Sequence, residues 1–158
     1  MWHHLAISVN GTSIKIYLDG GDAAINAGNP TNNQGTPFAT ATSTVSYNVP
    51  TSDPYVIGTN GKLITGNLYW MDGLIDEVAF WESELSGVNI STIYNNGLPN
   101  SLSPLNPVAW YRMGDGGDTN NGGSPASAGS TVGTIVDQIG SADATVGNGS
   151  PIYSADAP

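Results

Sequence analysis

Two pairs of carboxylates, Asp76 with Glu77 and Glu82 with Glu84, flank the run Val78–Trp81 in the stretch GLIDEVAFWESELSGVNISTIYNNG, residues 73–97. Two carboxyl groups facing each other across a glycosidic bond are what sugar hydrolysis needs, one as acid and the other as base or nucleophile. The spacing argues against that chemistry. Adjacent strand residues point to opposite faces of a sheet, so Asp76 and Glu77 diverge, while Glu82 and Glu84 fall where the chain leaves the strand. No acidic residue stands two positions from Asp76 or Glu77 to complete a same-face pair. The sequence therefore assigns no catalytic residue and predicts structural roles: Glu82 and Glu84 precede a helix and favour its positive end, and Asp76 takes up nearby loop amides.

His3 and His4 carry the groups of a metal ligand or general base. As strand neighbours they point opposite ways, no carboxylate adjoins them in sequence, and they are the only histidines, so a zinc site is not expected. A pair flanking a Trp2 anchor is the expected role. Hard oxygen donors suited to Ca²⁺ are plentiful. They cluster at Asp19, Asp22 and Asn26, the preferred set, and at Asp115, Asp118 and Asn120, neither with the spacing of an EF-hand loop. Aromatic rings that stack on sugars need exposure beside loops, which points to Tyr47, Tyr55, Tyr69 and Trp70 as glycan-binding candidates. Trp2, Trp81 and Trp110 sit in strand patterns and are expected in the core.

The elements that must position these residues are mostly strands. In HLAISVNGTSIKIYLDG, Leu5, Ile7 and Val9 alternate with small residues and Ile14, Ile16 and Leu18 alternate with Lys15 and Tyr17. This predicts a hairpin with one face buried, turning at Asn10-Gly11 with Thr12-Ser13 lengthening the connection. Residues 20–54 are broken by proline, glycine and asparagine into a long surface loop with an edge strand near Thr42–Tyr47. Short strands are expected at 55–60, 73–81, 108–113, 131–137 and 142–148. The period changes at 86–95, where Leu85, Val88, Ile93 and Tyr94 predict a short surface helix capped by Ser86 and stopped by Gly97. Residues 101–107 read as a linker and 114–130 as a low-complexity loop, so the segment after 106 is expected to bury little.

At 158 residues with 39% hydrophobic content the chain is long enough for one domain with a core. Thirteen acidic residues against three basic ones give a net charge of -10, which repels phosphate backbones and anionic lipid heads. Nucleic acid and membranes are therefore not expected as partners. Charged residues make up only 10%, so solubility rests on Asn, Ser, Thr and Gly, a balance that favours an extracellular or particle surface. The chain has no cysteine, hence neither a disulfide nor a thiolate metal site. No apolar run approaches the ~20 residues of a membrane span. Met1 runs straight into WHHLAISV, so the natural domain is expected to begin earlier or to be completed by another chain.

WHHLAISVNGTSIKIYLDG, then VIG, then GLIDEVAFWESELSGVNISTIYNNG, in that order, resembles the laminin G-like, concanavalin A-like jelly roll of lectins and glucanases. The resemblance implies an all-β, antiparallel two-sheet sandwich, incomplete at its start, with the helix on the outside. It divides the chain into a jelly-roll part, 1–100, and a part, 101–158, made of the linker, the strand at 108–113 and a loop-rich tail packing on it or on a neighbouring chain. Trp110-Tyr111-Arg112-Met113-Gly114-Asp115 in that tail resembles segments that accompany such jelly rolls in tandem in marine phage structural proteins. Laminin G-like domains bind Ca²⁺ through loop oxygens, which favours the Asp19 and Asp22 set. The resemblance implies a non-enzymatic structural or adhesion module, a virion decoration or fibre protein with weak glycan binding, working as a homo-oligomer or with other chains of a surface assembly. The alternative is a secreted, calcium-dependent carbohydrate-binding module of a bacterial surface protein.

Overall fold

Leu5–Asn10 and Ser13–Leu18 pair antiparallel as β1 and β2 across the two-residue turn Gly11-Thr12. The structure, a computed structural model, describes residues 1–21, 35–45, 56–58, 71–147 and 149–156. Gly11 has φ +58, the left-handed conformation that a two-residue hairpin turn needs at its first central position and that glycine adopts without steric cost. Asn10 and Ser13 close the ladder as a pair, so the connection is shorter than the sequence suggested. Ala39–Thr42 forms β3 on the other side of β2, giving the order β1-β2-β3. The edge strand thus begins earlier than predicted, and positions 46 and 47 lie outside the described residues. Val56–Gly58, expected within a buried strand, forms a bend with Val56 46% exposed.

The hairpin does bury one face, and it is the polar one. Leu5 faces Leu18, Ile7 faces Ile16 and Val9 faces Ile14, which puts all six on the same side of the sheet. On that side Leu5 and Ile7 remain 62% and 63% exposed. The opposite side carries Ala6, Ser8, Lys15 and Tyr17, and there Ser8 and Tyr17 are buried. The helix region explains why. Gly87–Tyr94 forms α1, capped as predicted by Ser86, whose Oγ accepts from Asn89 N–H at 3.1 Å. The helix stops two residues before Gly97, because Asn95 takes the left-handed conformation at φ 43. Tyr94 lies against Gly20, and Glu84, just ahead of α1, binds Lys15 Nζ and Asn10 Nδ2 from the polar side of the hairpin. Glu84 therefore anchors the sheet to the helix approach, where the sequence suggested a role at the helix terminus.

Val78–Phe80 forms β4 and pairs antiparallel with β5, Ala109–Tyr111. β5 is also held from its other side: Gln138 N–H donates to Trp110 C=O at 2.8 Å, and Tyr111 bridges Asp137. Thr119–Asn120, Val132–Ile135 and Ala144–Thr145 form a small antiparallel sheet, β6-β7-β8. Contrary to expectation this part buries much of the core, including Leu102, Trp110, Tyr111, Val132 and Tyr153. Aspartate side chains make that possible by satisfying amides that short strands leave over. Asp137 Oδ1 accepts from Trp110 N–H and Ile139 N–H, both at 3.1 Å, and its Oδ2 accepts from Ala142 N–H at 3.3 Å. Asp118 accepts from Val136 N–H at 2.7 Å and Gly114 N–H at 2.8 Å. Among the described residues no helix is long and apolar enough to cross a membrane.

Two substitutions test this packing. A Cβ at Gly87 would fall onto the Gly35 carbonyl oxygen, closer than real contacts allow. Gly87→Ala, which in an exposed helix would raise stability, is expected here to cost about 1–3 kcal/mol, read as a lower urea midpoint. Asp137→Ala strands the buried Trp110 amide and the half-buried amides of Ile139 and Ala142 and is expected to cost about 2–4 kcal/mol in the same assay, with Asp137→Asn costing less because it keeps one acceptor oxygen.

Candidate functional site

Of the carboxylates singled out in the sequence, Glu77 meets the tail at the β4–β5 seam. Val78 pairs with Tyr111, so Glu77, one residue earlier, lies opposite Arg112, one residue later. Glu77 Oε2 accepts from Trp110 Nε1 at 2.7 Å and Glu77 Oε1 accepts from Arg112 Nε at 3.2 Å. Trp110 and Arg112 are two apart on an extended chain and share a face, which lets one carboxylate take both donors. The guanidinium lies 5.7 Å from the Trp110 ring centroid and its Nη2 reaches Asp115 Oδ2 at 2.9 Å. Glu77 itself stands at φ 51, a left-handed conformation that costs a non-glycine residue about 1 kcal/mol or more. Asp76 stabilises that turn by accepting from Glu77 N–H at 2.9 Å.

The electrostatics of the seam separate the two neighbours. Burial pushes Asp76 up from its ordinary 3.8 to about 6, the Glu77 and Asp115 carboxylates adding to the shift, against the Glu77 amide and Arg112. Asp76 and Glu77 do not form a facing pair: one turns back onto the backbone and the other is tied to β5. The expected amide-binding role of Asp76 is what the geometry displays.

A second polar corner forms where β1 begins. Asp19, at φ 51, accepts from His4 N–H at 2.9 Å and contacts His3 Nδ1 at 2.9 Å through its other oxygen. The carboxylate missing from the sequence neighbourhood of the histidines is thus supplied across the hairpin, because Leu5 pairs with Leu18 and brings the following Asp19 beside His4. The His4 ring packs on Tyr94 at 5.9 Å between centroids, and its pKa is lowered by burial despite the nearby Asp19. His4 Nδ1 and Ser8 Oγ, on the covered face of the sheet, are buried without a hydrogen-bond partner among the described residues.

Of the preferred calcium ligands, Asp19 has both oxygens engaged by His3 and His4, and Asp22 and Asn26 lie outside the described residues. In the second cluster Asp118 is buried with both oxygens on amides, and Asn120 Oδ1 accepts from Gly122 and Ser124 N–H. Asp115 points to Arg112 instead of joining them. Among the described residues no group of three or more acidic or histidine side chains is placed to hold a metal ion. The glycan-binding candidates Tyr47, Tyr55, Tyr69 and Trp70 all lie outside the described residues. Trp110 is buried as expected, whereas Trp81 and Trp2 are half-buried, donating to Leu105 C=O at 3.0 Å and reaching Asp156 Oδ1 at 3.5 Å. Sequence reasoning missed the partnership of Glu77 with Trp110 and Arg112. Its one available signal was scarcity: with three basic residues in the whole chain, an arginine beside a strand tryptophan is bound to find a carboxylate.

The seam generates a pH-dependent expectation. A carboxyl whose pKa is higher folded than unfolded binds its proton more tightly when folded. Asp76 therefore favours the folded chain most below about pH 4, and that contribution is lost as pH rises through its folded value of about 6. Asp76→Asn keeps the acceptor oxygen and removes the charge. The variant is expected to gain on the wild type between pH 4 and pH 7, by about 1 kcal/mol once solvent screening is allowed for. Thermal melts of both proteins across that range check this, and a constant difference would contradict it.

A family model described as the concanavalin A-like lectin/glucanases superfamily, of laminin G-like type, matches residues 1–91. Searches of curated proteins and of solved structures gave no match. The matched stretch takes in the β1–β2 hairpin, β3, β4 and the first turns of α1, and it ends before β5. Among the described residues, separate antiparallel sheets with one short α-helix agree with an incomplete sandwich of that kind. Matched over more than half of its length, the chain belongs to the concanavalin A-like lectin/glucanases superfamily.

Proposed function

We propose that the chain is a non-enzymatic structural and adhesion module of an extracellular or virion-surface assembly, a decoration or fibre protein with weak glycan affinity. The superfamily supports the coarser half of this reading, a carbohydrate-binding or adhesion module. The observation that supports its non-enzymatic part is the engagement of Glu77, whose two oxygens hold Trp110 and Arg112. A carboxylate so occupied fastens two parts of the chain together and is withdrawn from acid–base work on a sugar. The acidic, lysine-poor and arginine-poor composition adds support for a surface setting over nucleic acid or membrane contact.

The lectin-type superfamily also favours a second reading, a secreted bacterial carbohydrate-binding module that uses calcium. Any calcium site at the Asp19 loop would draw on Asp22 and Asn26 and would compete with His3 and His4 for Asp19. Screening the chain against a glycan array and against soluble polysaccharides, with Ca²⁺ and with chelator, separates the readings. The first expects weak, chelator-insensitive binding and no release of reducing sugar. Tight binding abolished by chelation would replace it with the second, and sugar release lost in Glu77→Gln would replace both with a hydrolase.

A further inference from the structure

Glu84 is the meeting point of an amine and a carboxamide. Its Oε1 accepts from Lys15 Nζ at 2.5 Å and its Oε2 accepts from Asn10 Nδ2 at 2.7 Å. Strand register brings the two donors together. Lys15 pairs with Ser8 and Asn10 with Ser13, so Asn10 and Lys15 are diagonal neighbours on one side of the β1–β2 hairpin, a separation that a long side chain spans. A lysine amine is a nucleophile, a carboxamide carries an electrophilic carbon, and a carboxylate touching both can pass protons between them. We propose that this trio is a modification site at which Lys15 and Asn10 join in an intramolecular isopeptide bond, with Glu84 as the proton carrier. Formation of the bond needs neither a glycan nor a partner chain.

The step balances without a co-reactant. The Lys15 ammonium gives a proton to Glu84, and the freed lone pair attacks Asn10 Cγ to form the new C–N bond. Glu84 then protonates Nδ2 and takes a second proton from the lysine nitrogen. The Cγ–Nδ2 bond breaks and ammonia leaves, carrying that second proton away as ammonium. Held contact between the groups supplies the proximity that an unactivated amide needs. The product ties β1 to β2 covalently on the side that faces the approach to α1.

Protonation sets the pace. The hydrogen bond to Glu84 raises the Lys15 pKa and the one from Lys15 lowers that of Glu84, so the pair rests as ammonium and carboxylate. Reaction runs through the minor form in which the proton has crossed to Glu84, which makes it slow. That form holds the same number of protons as the resting pair, so its population does not change with pH between the pKa values of the two groups. Tyr17, next along the same side of β2, is the other titratable group acting on Lys15. A competing reaction of the same carboxamide, attack by the Gly11 amide nitrogen to give a succinimide, rises instead with hydroxide concentration.

Intact-mass spectrometry of the full chain, kept folded over successive days at about pH 6 and about pH 9, tests the proposal. A species lighter by about 17 Da, one ammonia, is expected to accumulate at the same rate at both values. Trypsin digestion of the unfolded product is expected to lose the cut after Lys15 and to give a peptide running from Met1 to Lys62. Glu84→Gln is expected to slow accumulation on the order of a hundredfold. Lys15→Arg, which keeps a cation for Glu84, is expected to abolish it. Circular dichroism checks that both variants are folded, and Lys15→Arg decides the matter if Glu84→Gln is not. Full mass at every time point overturns the proposal, and accumulation at the wild-type rate in folded Glu84→Gln does the same. A loss of ammonia that persists in Lys15→Arg, or that hydrolyses away at the higher pH, is the mark of the succinimide and also overturns it.

Discussion

A single carboxylate, that of Glu77, ties β5 to the end of β4 through Trp110 and Arg112, and the arrangement of the described molecule follows from that clasp. Trp110 is buried, so its indole N–H needs an acceptor, and Arg112 is one of only three basic residues in a strongly acidic chain. Placing the acceptor requires Glu77 in a left-handed conformation, which the neighbouring Asp76 carboxylate supports by binding its amide. The seam so made gives β5 a partner on each side, and the core residues Tyr111, Val132 and Tyr153 collect beyond it.

Scarcity of cations shapes the remaining polar interactions. Lys15 joins β2 to Glu84 and Arg112 joins Glu77 to Asp115, so each described cation links elements distant in sequence. Asp19, Asp76, Asp118, Asp137 and Asp143 turn instead to backbone N–H groups. Opposite effects follow from this habit. In Asp137 the amide bonds outweigh burial and its pKa is lowered, while in Asp118 burial outweighs two amide bonds and its pKa is raised. Both act as connectors in a segment whose strands are too short to pair all their own amides.

The helix is fitted to the hairpin through glycine. Gly87 meets Gly35 backbone to backbone and Gly20 meets the Tyr94 ring, contacts that leave no room for a β-carbon. Ser8 and Tyr17 are buried on the side of the sheet that carries Lys15, while Leu5 and Ile7 on the aliphatic side stay exposed. For a member of a two-sheet superfamily, that outward side is the one with the chemistry of a sandwich interior.

Local signals in the sequence determined the hairpin, the Ser86 cap, the β5 strand and the family, because alternation, capping chemistry and motif order are properties of neighbouring residues. The absence of a same-face acid pair was legible for the same reason. Which side of the hairpin would be covered was not legible, since alternation names the apolar face and is silent on what packs against it. Nor were the pairings of Glu77 with Trp110 and Arg112, of Asp19 with the histidines, or of Asp137 with the Trp110 amide: each joins residues brought together by strand register across intervening chain. The sequence by itself determined which residues are strand-forming, acidic or aromatic. Only the tertiary structure decided which carboxylates are bound to backbone amides, because the donors that engage them come from other elements.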